Sequence, residues 1–207
     1  MNNIIFDLDG TLIDSSNGII NSFNEASKLS GLQEIKKNII KENIGPSLDK
    51  LINILYPTIT IETKNQIFSN FIESYDNKYC LKYKLLFKKS SLIKLKKNNH
   101  LGIITNKRSL PTKKILKDAN IDKFFNFVIC SDTFSIKNTK KLNYLSIHNV
   151  YPEFNNKLKT FYVGDTISDL NFSNEMGLSF FGVEFSEKLP QGNFQILKSI
   201  DELVKIF

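Results

Sequence analysis

Tryptophan is missing from this 207-residue chain, and cysteine and methionine occur only twice each. Without tryptophan, the core has to be filled by the 17 phenylalanines together with isoleucine and leucine. Cys80 and Cys130 do not have the CxxC spacing of metal or redox chemistry. Cys130 closes the apolar run Phe127-Val128-Ile129-Cys130 and reads as a small core residue. Arginine is nearly absent: Arg108 is the only one among 28 Lys and Arg residues. Nucleic-acid surfaces favour arginine forks and gather their charge in a patch. Here a formal charge of +7 rests on lysines spread from Lys28 to Lys205, which reads as a solubilising surface, so no nucleic-acid partner is expected. No apolar stretch approaches the roughly 20 residues needed to span a bilayer, so no membrane partner is expected either. Met1-Asn2-Asn3 leads straight into an acidic motif without a signal-peptide pattern, and a reduced cytoplasm is the expected setting.

What remains is an ordinary globular composition, 41% apolar and 24% charged, which excludes disorder. The length suits one core carrying a smaller accessory unit, since single domains most often run to about 100–150 residues. Five short apolar runs stop at turn or polar signals and read as buried strands: Asn3 to Phe6, Leu101 to Ile104, Phe127 to Cys130, Thr160 to Val163 and Leu178 to Val183. Helical stretches are expected between the later ones, at Leu110 to Ala119, Thr139 to His148 and Leu170 to Met176. This alternation predicts an α/β fold, a Rossmann-like parallel sheet with helices on both faces. The rhythm breaks over residues 16–82. There Ile19, Ile20 and Phe23, then Leu48, Leu51, Ile52 and Leu55, then Ile67, Phe68, Phe71 and Ile72 recur at helical spacing. The expected division is therefore a core of residues 1–15 and 83–207 with a helical insertion at 16–82.

The chemistry begins at Phe6-Asp7-Leu8-Asp9-Gly10-Thr11-Leu12. Side chains two apart on a strand point the same way, so Asp7 and Asp9 face one site, about 6–7 Å apart along the backbone. In open α/β sheets that site lies at the carboxyl ends of the strands. One carboxylate can attack phosphorus while the other protonates the departing oxygen. Two close carboxylates repel each other, and a hard cation with oxygen ligands relieves this; Mg2+ is the expected ion. A calcium loop would need further acidic positions and a later glutamate, and Thr11 to Asn17 supplies no such set.

This segment resembles the first signature of the haloacid dehalogenase-like superfamily, a strand ending in Asp-x-Asp-Gly-Thr-Leu. Three further segments follow in the family's order. Ile103-Ile104-Thr105-Asn106-Lys107 is similar to the second signature, which implies that Thr105 and Asn106 donate to phosphoryl oxygens. Val163-Gly164-Asp165-Thr166-Ile167-Ser168-Asp169 is similar to the fourth. It implies Asp165 as a direct magnesium ligand and Asp169 as the carboxylate that steadies the metal shell, alongside Asp7 and Asp9. Read alone, Gly-Asp-x-x-x-Asp is equally a helix N-cap, with Asp165 or Ser168 as the capping residue. The third signature requires a lysine opening a helix. The usual prolines are missing from Ser135-Ile136-Lys137-Asn138-Thr139-Lys140, and Lys137 is chosen because Asn138 suits an N-cap, with Lys140 as the alternative.

The resemblance spans nearly the whole chain and places a helical cap at the insertion, on the phosphoglycolate phosphatase-like side of the superfamily. It implies Gly45, Pro46 and Ser47 as substrate-proximal cap residues; a proline opening a helix beside a serine is the alternative reading. The expected activity is Mg2+-dependent hydrolysis of a small phosphorylated metabolite through an aspartyl-phosphate, by a monomer or else a homodimer. A sugar-phosphate mutase would carry the same signatures, and a non-catalytic phospholigand-binding protein is the third alternative. His100 and His148 lie outside every signature and read as structural or surface residues.

Overall fold

The computed structural model describes residues 1–134, 140–185 and 189–207, with only the backbone of Leu142. The chain opens with β1 (Asn2–Phe6) and β2 (Ile13–Asp14), then runs through α1 (Ser16–Leu29), α2 (Lys37–Glu42), α3 (Leu48–Leu55) and α4 (Ile61–Ser74). It continues with β3 (Lys84–Leu85), α5 (Lys89–Asn98), β4 (Asn99–Ile104), α6 (Ser109–Asp118), β5 (Phe127–Ile129), α7 (Lys140–Leu145) and α8 (Ile147–Val150). The last elements are β6 (Thr160–Gly164), α9 (Ile167–Glu175), β7 (Ser179–Val183) and β8 (Gln195–Leu197). Contacts divide it into two units, residues 1–14 with 85–207 and residues 15–84.

The first unit is built on a six-stranded sheet in the order β5-β4-β1-β6-β7-β8, every pairing parallel. β1 sits in the middle because Ile4, Ile5 and Phe6 are apolar on both faces and fully buried. It pairs with β4 from Asn2↔Asn99 to Phe6↔Ile103 and with β6 from Asn3↔Thr160 to Phe6↔Val163. The chain runs outward from β1 through β4 to β5, then returns to its other side at β6, which makes the carboxyl end of β1 the topological switch point. Below it, Ile5, Ile104, Tyr162 and Phe172 belong to one core cluster with Phe127, Phe154 and Phe180.

Two core expectations are revised. The strand β8 departs from the five expected, because Gln195-Ile196-Leu197 is only three residues long and lies at the sheet edge with Gln195 and Ile196 exposed, which leaves no apolar run to read. The helix expected from Thr139 to His148 is two short ones. Asn143, Ser146 and Asn149 are weak helix formers, and Ser146 turns the chain between them. Thr139 lies outside the described residues.

In the second unit, α1, α3 and α4 carry the three apolar stripes, and their residues join one cluster around Phe23, Ile67 and Phe71. The short α2 adds Ile40, its only buried residue. Thr60 caps α4 by accepting from the Thr63 N–H. No helix among the described residues is long and apolar enough to cross a membrane.

Candidate active site

The functional side chains gather where β1, β4 and β6 end. The Asp7 N–H donates to Val163 O at 2.9 Å, so the first carboxylate is still held in the ladder. The chain then reverses at once: Gly10 N donates to Ile13 O at 2.8 Å and Leu12 N to Leu8 O at 2.9 Å. Gly10 has a φ of 81°, a left-handed conformation that glycine adopts freely. A Cβ there would lie 2.0 Å from Oδ2 of Asp165, so the turn also needs glycine for space. Thr11 Oγ1 donates to the other oxygen of Asp165 at 3.1 Å, tying the β1 turn to the end of β6.

On the β4 side, Thr105 is buried and its N–H donates to Ile129 O at 3.0 Å, while its Oγ1 accepts from the Lys107 N–H at 3.2 Å. The Lys107 ammonium lies 3.0 Å from Oδ2 of Asp9. On the β6 side, Thr166 and Asp169 form a reciprocal capping box at the start of α9. Thr166 Oγ1 donates to Asp169 Oδ2 at 2.7 Å and its N–H to the same oxygen at 3.1 Å. The cap is thus Thr166, in place of the expected Asp165 or Ser168. Gly164 leaves room for this carboxylate, since a Cβ there would lie 2.5 Å from its Cγ.

Lys140, the first residue of α7, reaches into the middle. Its Nζ lies 2.8 Å from Oδ1 of Asp7 and also donates to Oδ1 of Asp169. Beneath it stands Tyr162, whose hydroxyl donates to Ile104 O at 3.0 Å, with Oδ1 of Asp169 3.3 Å away; the ammonium lies 5.5 Å from its ring centre. Burial pushes the Asp7 carboxyl up to about 8; Lys140 opposes the rise, and the charges of Asp169 and Asp165 reinforce it. Burial also disfavours the Lys140 ammonium, but Asp169 and Asp7 outweigh it and hold it well above the ordinary lysine value. The Asp7 shift is thus set first by burial and then by the carboxyl groups around it, and the Lys140 shift by its two carboxyl partners working against burial.

The donor chemistry suits a hard divalent cation. Oxygens of Asp7, Asp165 and Asp169, all buried, lie within 4.8 Å of one another. A set of carboxylate oxygens without nitrogen or sulfur matches Mg2+. The Asp9 side chain is not in this group. It turns to Lys107 instead, so the set brought together is Asp7, Asp165 and Asp169 rather than the four aspartates expected. Gly10→Ala is therefore expected to cost about 1–3 kcal/mol through its backbone and to displace Asp165. Thermal melting with and without Mg2+ checks this, and a variant keeping the wild-type metal-induced shift would contradict it.

Of the other expected residues, Asn106 follows Thr105 at the end of β4 and is half-buried. Lys137 lies outside the described residues; among the described residues Lys140 is the lysine paired with Asp7. Gly45, Pro46 and Ser47 lie in the helical unit between α2 and α3, with Ser47 flanking α3 without capping it through its side chain. Lys107, Thr166 and Tyr162 were not singled out from the sequence. A signal existed for Tyr162, since a tyrosine inside a fully buried strand must find a partner for its hydroxyl.

The family model for haloacid dehalogenase-like hydrolases matches residues 4–183. A phosphoglycolate phosphatase of Aquifex aeolicus is 29% identical over 98% of this chain and 95% of its own. A pyrophosphatase PpaX of Bacillus mycoides is 27% identical over 64% of this chain and 60% of its own. Among solved structures, a predicted phosphoglycolate phosphatase of Haemophilus somnus superposes with a TM-score of 0.85 at 21% identity, covering 100% of this chain and 97% of the other. With its parallel core, its inserted helical unit and a match over most of its length, this chain belongs to the haloacid dehalogenase-like hydrolases and is phosphoglycolate phosphatase-like.

Proposed function

We propose that the chain is a Mg2+-dependent phosphatase that hydrolyses a small phosphomonoester through an aspartyl-phosphate on Asp7. The observation that carries this reading is the ion pair between Asp7 and Lys140 at the switch point, with Asp165 and Asp169 beside it. Asp7, Asp165 and Asp169 would hold the metal, which when bound screens the charge of an incoming phosphate.

In the first step an oxygen of Asp7 forms a bond to phosphorus as the bond to the ester oxygen breaks, and Asp9 gives its proton to the leaving alcohol. In the second step Asp9, now a carboxylate, takes a proton from water. The water oxygen attacks phosphorus, releasing inorganic phosphate and restoring Asp7. Thr105 donates its hydroxyl to a phosphoryl oxygen, and Lys140 offsets the negative charge gathered on nucleophile and phosphate. In place of Lys137, Lys140 is proposed as the lysine of the third signature. Asn106 at the phosphate, and Gly45, Pro46 and Ser47 in substrate selection, are proposed on the family resemblance.

Relatives named as phosphoglycolate phosphatase and pyrophosphatase support a small anionic substrate. The test is phosphate release from phosphoglycolate, pyrophosphate, a hexose phosphate and a nucleotide, each with Mg2+ and with chelator. Release from at least one substrate, abolished by chelator, is expected. Conversion of a hexose phosphate into its isomer without release would replace the phosphatase reading with a mutase.

A further inference from the structure

Asp9 lies beyond the ladder that holds Asp7, in the turn after β1, and its side chain keeps 18% of its exposure. The mechanism above asks this one carboxyl group to give up a proton at the leaving oxygen and then take one from water, so its aim matters twice. The neighbouring strand supplies what could aim it. β4 runs beside β1 with Ile103 opposite Phe6, so the residues just past Ile104 leave the sheet alongside the turn that carries Asp9.

Lys107 is built in from both ends. Its N–H is held by Thr105 Oγ1 at 3.2 Å, and its carbonyl accepts from the Ser131 N–H at 3.1 Å. Its side chain is only 6% exposed, with the ammonium 3.0 Å from Oδ2 of Asp9. Stability does not account for such a pair, because the cost of desolvating a buried lysine roughly cancels the attraction it gains. What a buried pair does supply is one defined geometry. Lys140, from the start of α7, pairs with the nucleophile and Asp169, and Lys107, from the end of β4, pairs with the acid–base carboxyl.

We propose that Lys107 is the positioning residue of Asp9, holding its side chain in one orientation through both halves of the reaction. This rests on the phosphatase reading, and it makes a distinction that a merely structural role does not. An alkyl phosphate needs its leaving oxygen protonated, whereas 4-nitrophenyl phosphate releases a stable phenolate and hardly needs the acid. Because kcat/KM reports only as far as formation of the aspartyl-phosphate, it isolates that use of Asp9.

The experiment compares kcat/KM for the best alkyl phosphate of the panel and for 4-nitrophenyl phosphate in wild type, Lys107→Met, Lys107→Arg, Asp9→Asn, the Lys107→Met and Asp9→Asn double variant, and Asp7→Asn. In Lys107→Met the alkyl phosphate value is expected to fall about 100-fold, within the range of general acid catalysis, and the nitrophenyl value about threefold or less. Lys107→Arg restores most of the loss. Lys107→Met added to Asp9→Asn causes little further loss, since the two residues act as one unit. Should Lys107→Met fail to fold, Lys107→Gln, which keeps an N–H donor without the charge, takes its place. Equal losses on both substrates, no loss on either, or losses that multiply in the double variant overturn the proposal and leave the phosphatase standing, because wild type is active and Asp7→Asn is not. A wild type that releases no phosphate from any substrate overturns both together.

Discussion

Lys140→Met is expected to lower stability by about 3–5 kcal/mol in the presence of chelator, the usual cost of leaving one side of a buried ion pair without its partner. Two buried carboxyl groups, those of Asp7 and Asp169, lose the ammonium that lies between them, and the loss does not depend on solvent screening because the lysine is itself buried. Mg2+ should recover much of this stability, since it supplies positive charge to the same oxygens. Activity should not recover: loss of the cation that offsets charge on the phosphate is expected to reduce kcat on the order of 10^2–10^3-fold. Melting curves with chelator and with Mg2+, beside phosphate release, check both parts. Lys137→Met is the comparison. Near-normal activity in Lys140→Met together with loss in Lys137→Met would return the third-signature role to Lys137.

Asp7→Asn is expected to abolish phosphate release, by on the order of 10^4-fold or more, while the protein melts no lower than wild type without metal. Burial and neighbouring charge raise the folded-state Asp7 carboxyl to about 8 from an ordinary 3.8. Between those values the folded, metal-free chain holds a proton that the unfolded chain has released. The group's contribution to stability is therefore fully present below pH about 4 and is lost as pH rises toward 8, at a limit of about 1.4 kcal/mol per pH unit. Asparagine does not titrate, so melting temperatures in chelator should fall less steeply from pH 5 to pH 8 in the variant than in wild type. Identical slopes would remove the proposed strain on Asp7, and retained turnover would remove Asp7 as nucleophile.

The sequence made some of this legible because the signals were local. Ile4-Ile5-Phe6 before Asp7, and Phe161-Tyr162-Val163 before Asp165, are apolar runs ending in an acid, and that pattern marks a buried strand with a polar exit. The helical spacing of Phe23, Ile67 and Phe71 likewise marks faces that must be covered. What escaped was decided at a distance. Between Lys137 and Lys140 only helix-cap grammar could choose, whereas the pairing that distinguishes Lys140 joins residues 133 positions apart. Lys107 followed Thr105 and Asn106 in plain view, but its reach to Asp9 depends on β4 lying beside β1. Nor does the sequence distinguish Thr166 from Asp165 or Ser168 as the α9 cap; that follows from Asp169, one of whose carboxylate oxygens binds Thr166 and the other Lys140.

The central place of β1 bears on how the chain is made. Its two neighbours begin at Asn99 and Thr160, so Ile4-Ile5-Phe6 has no partner on one edge until β4 has been synthesised and none on the other until β6 has. The helical unit draws on one unbroken stretch, residues 15–84, and can close on its own contacts in that interval. Because loop-closure entropy grows only slowly with length, a folded insertion of this size adds little to the cost of bringing β1 and β4 together. Synthesis thus exposes an unpaired strand for longest at the very segment that carries the nucleophile. A chain truncated before β6 would hold β1 with one bare edge, exposed to pairing with other chains.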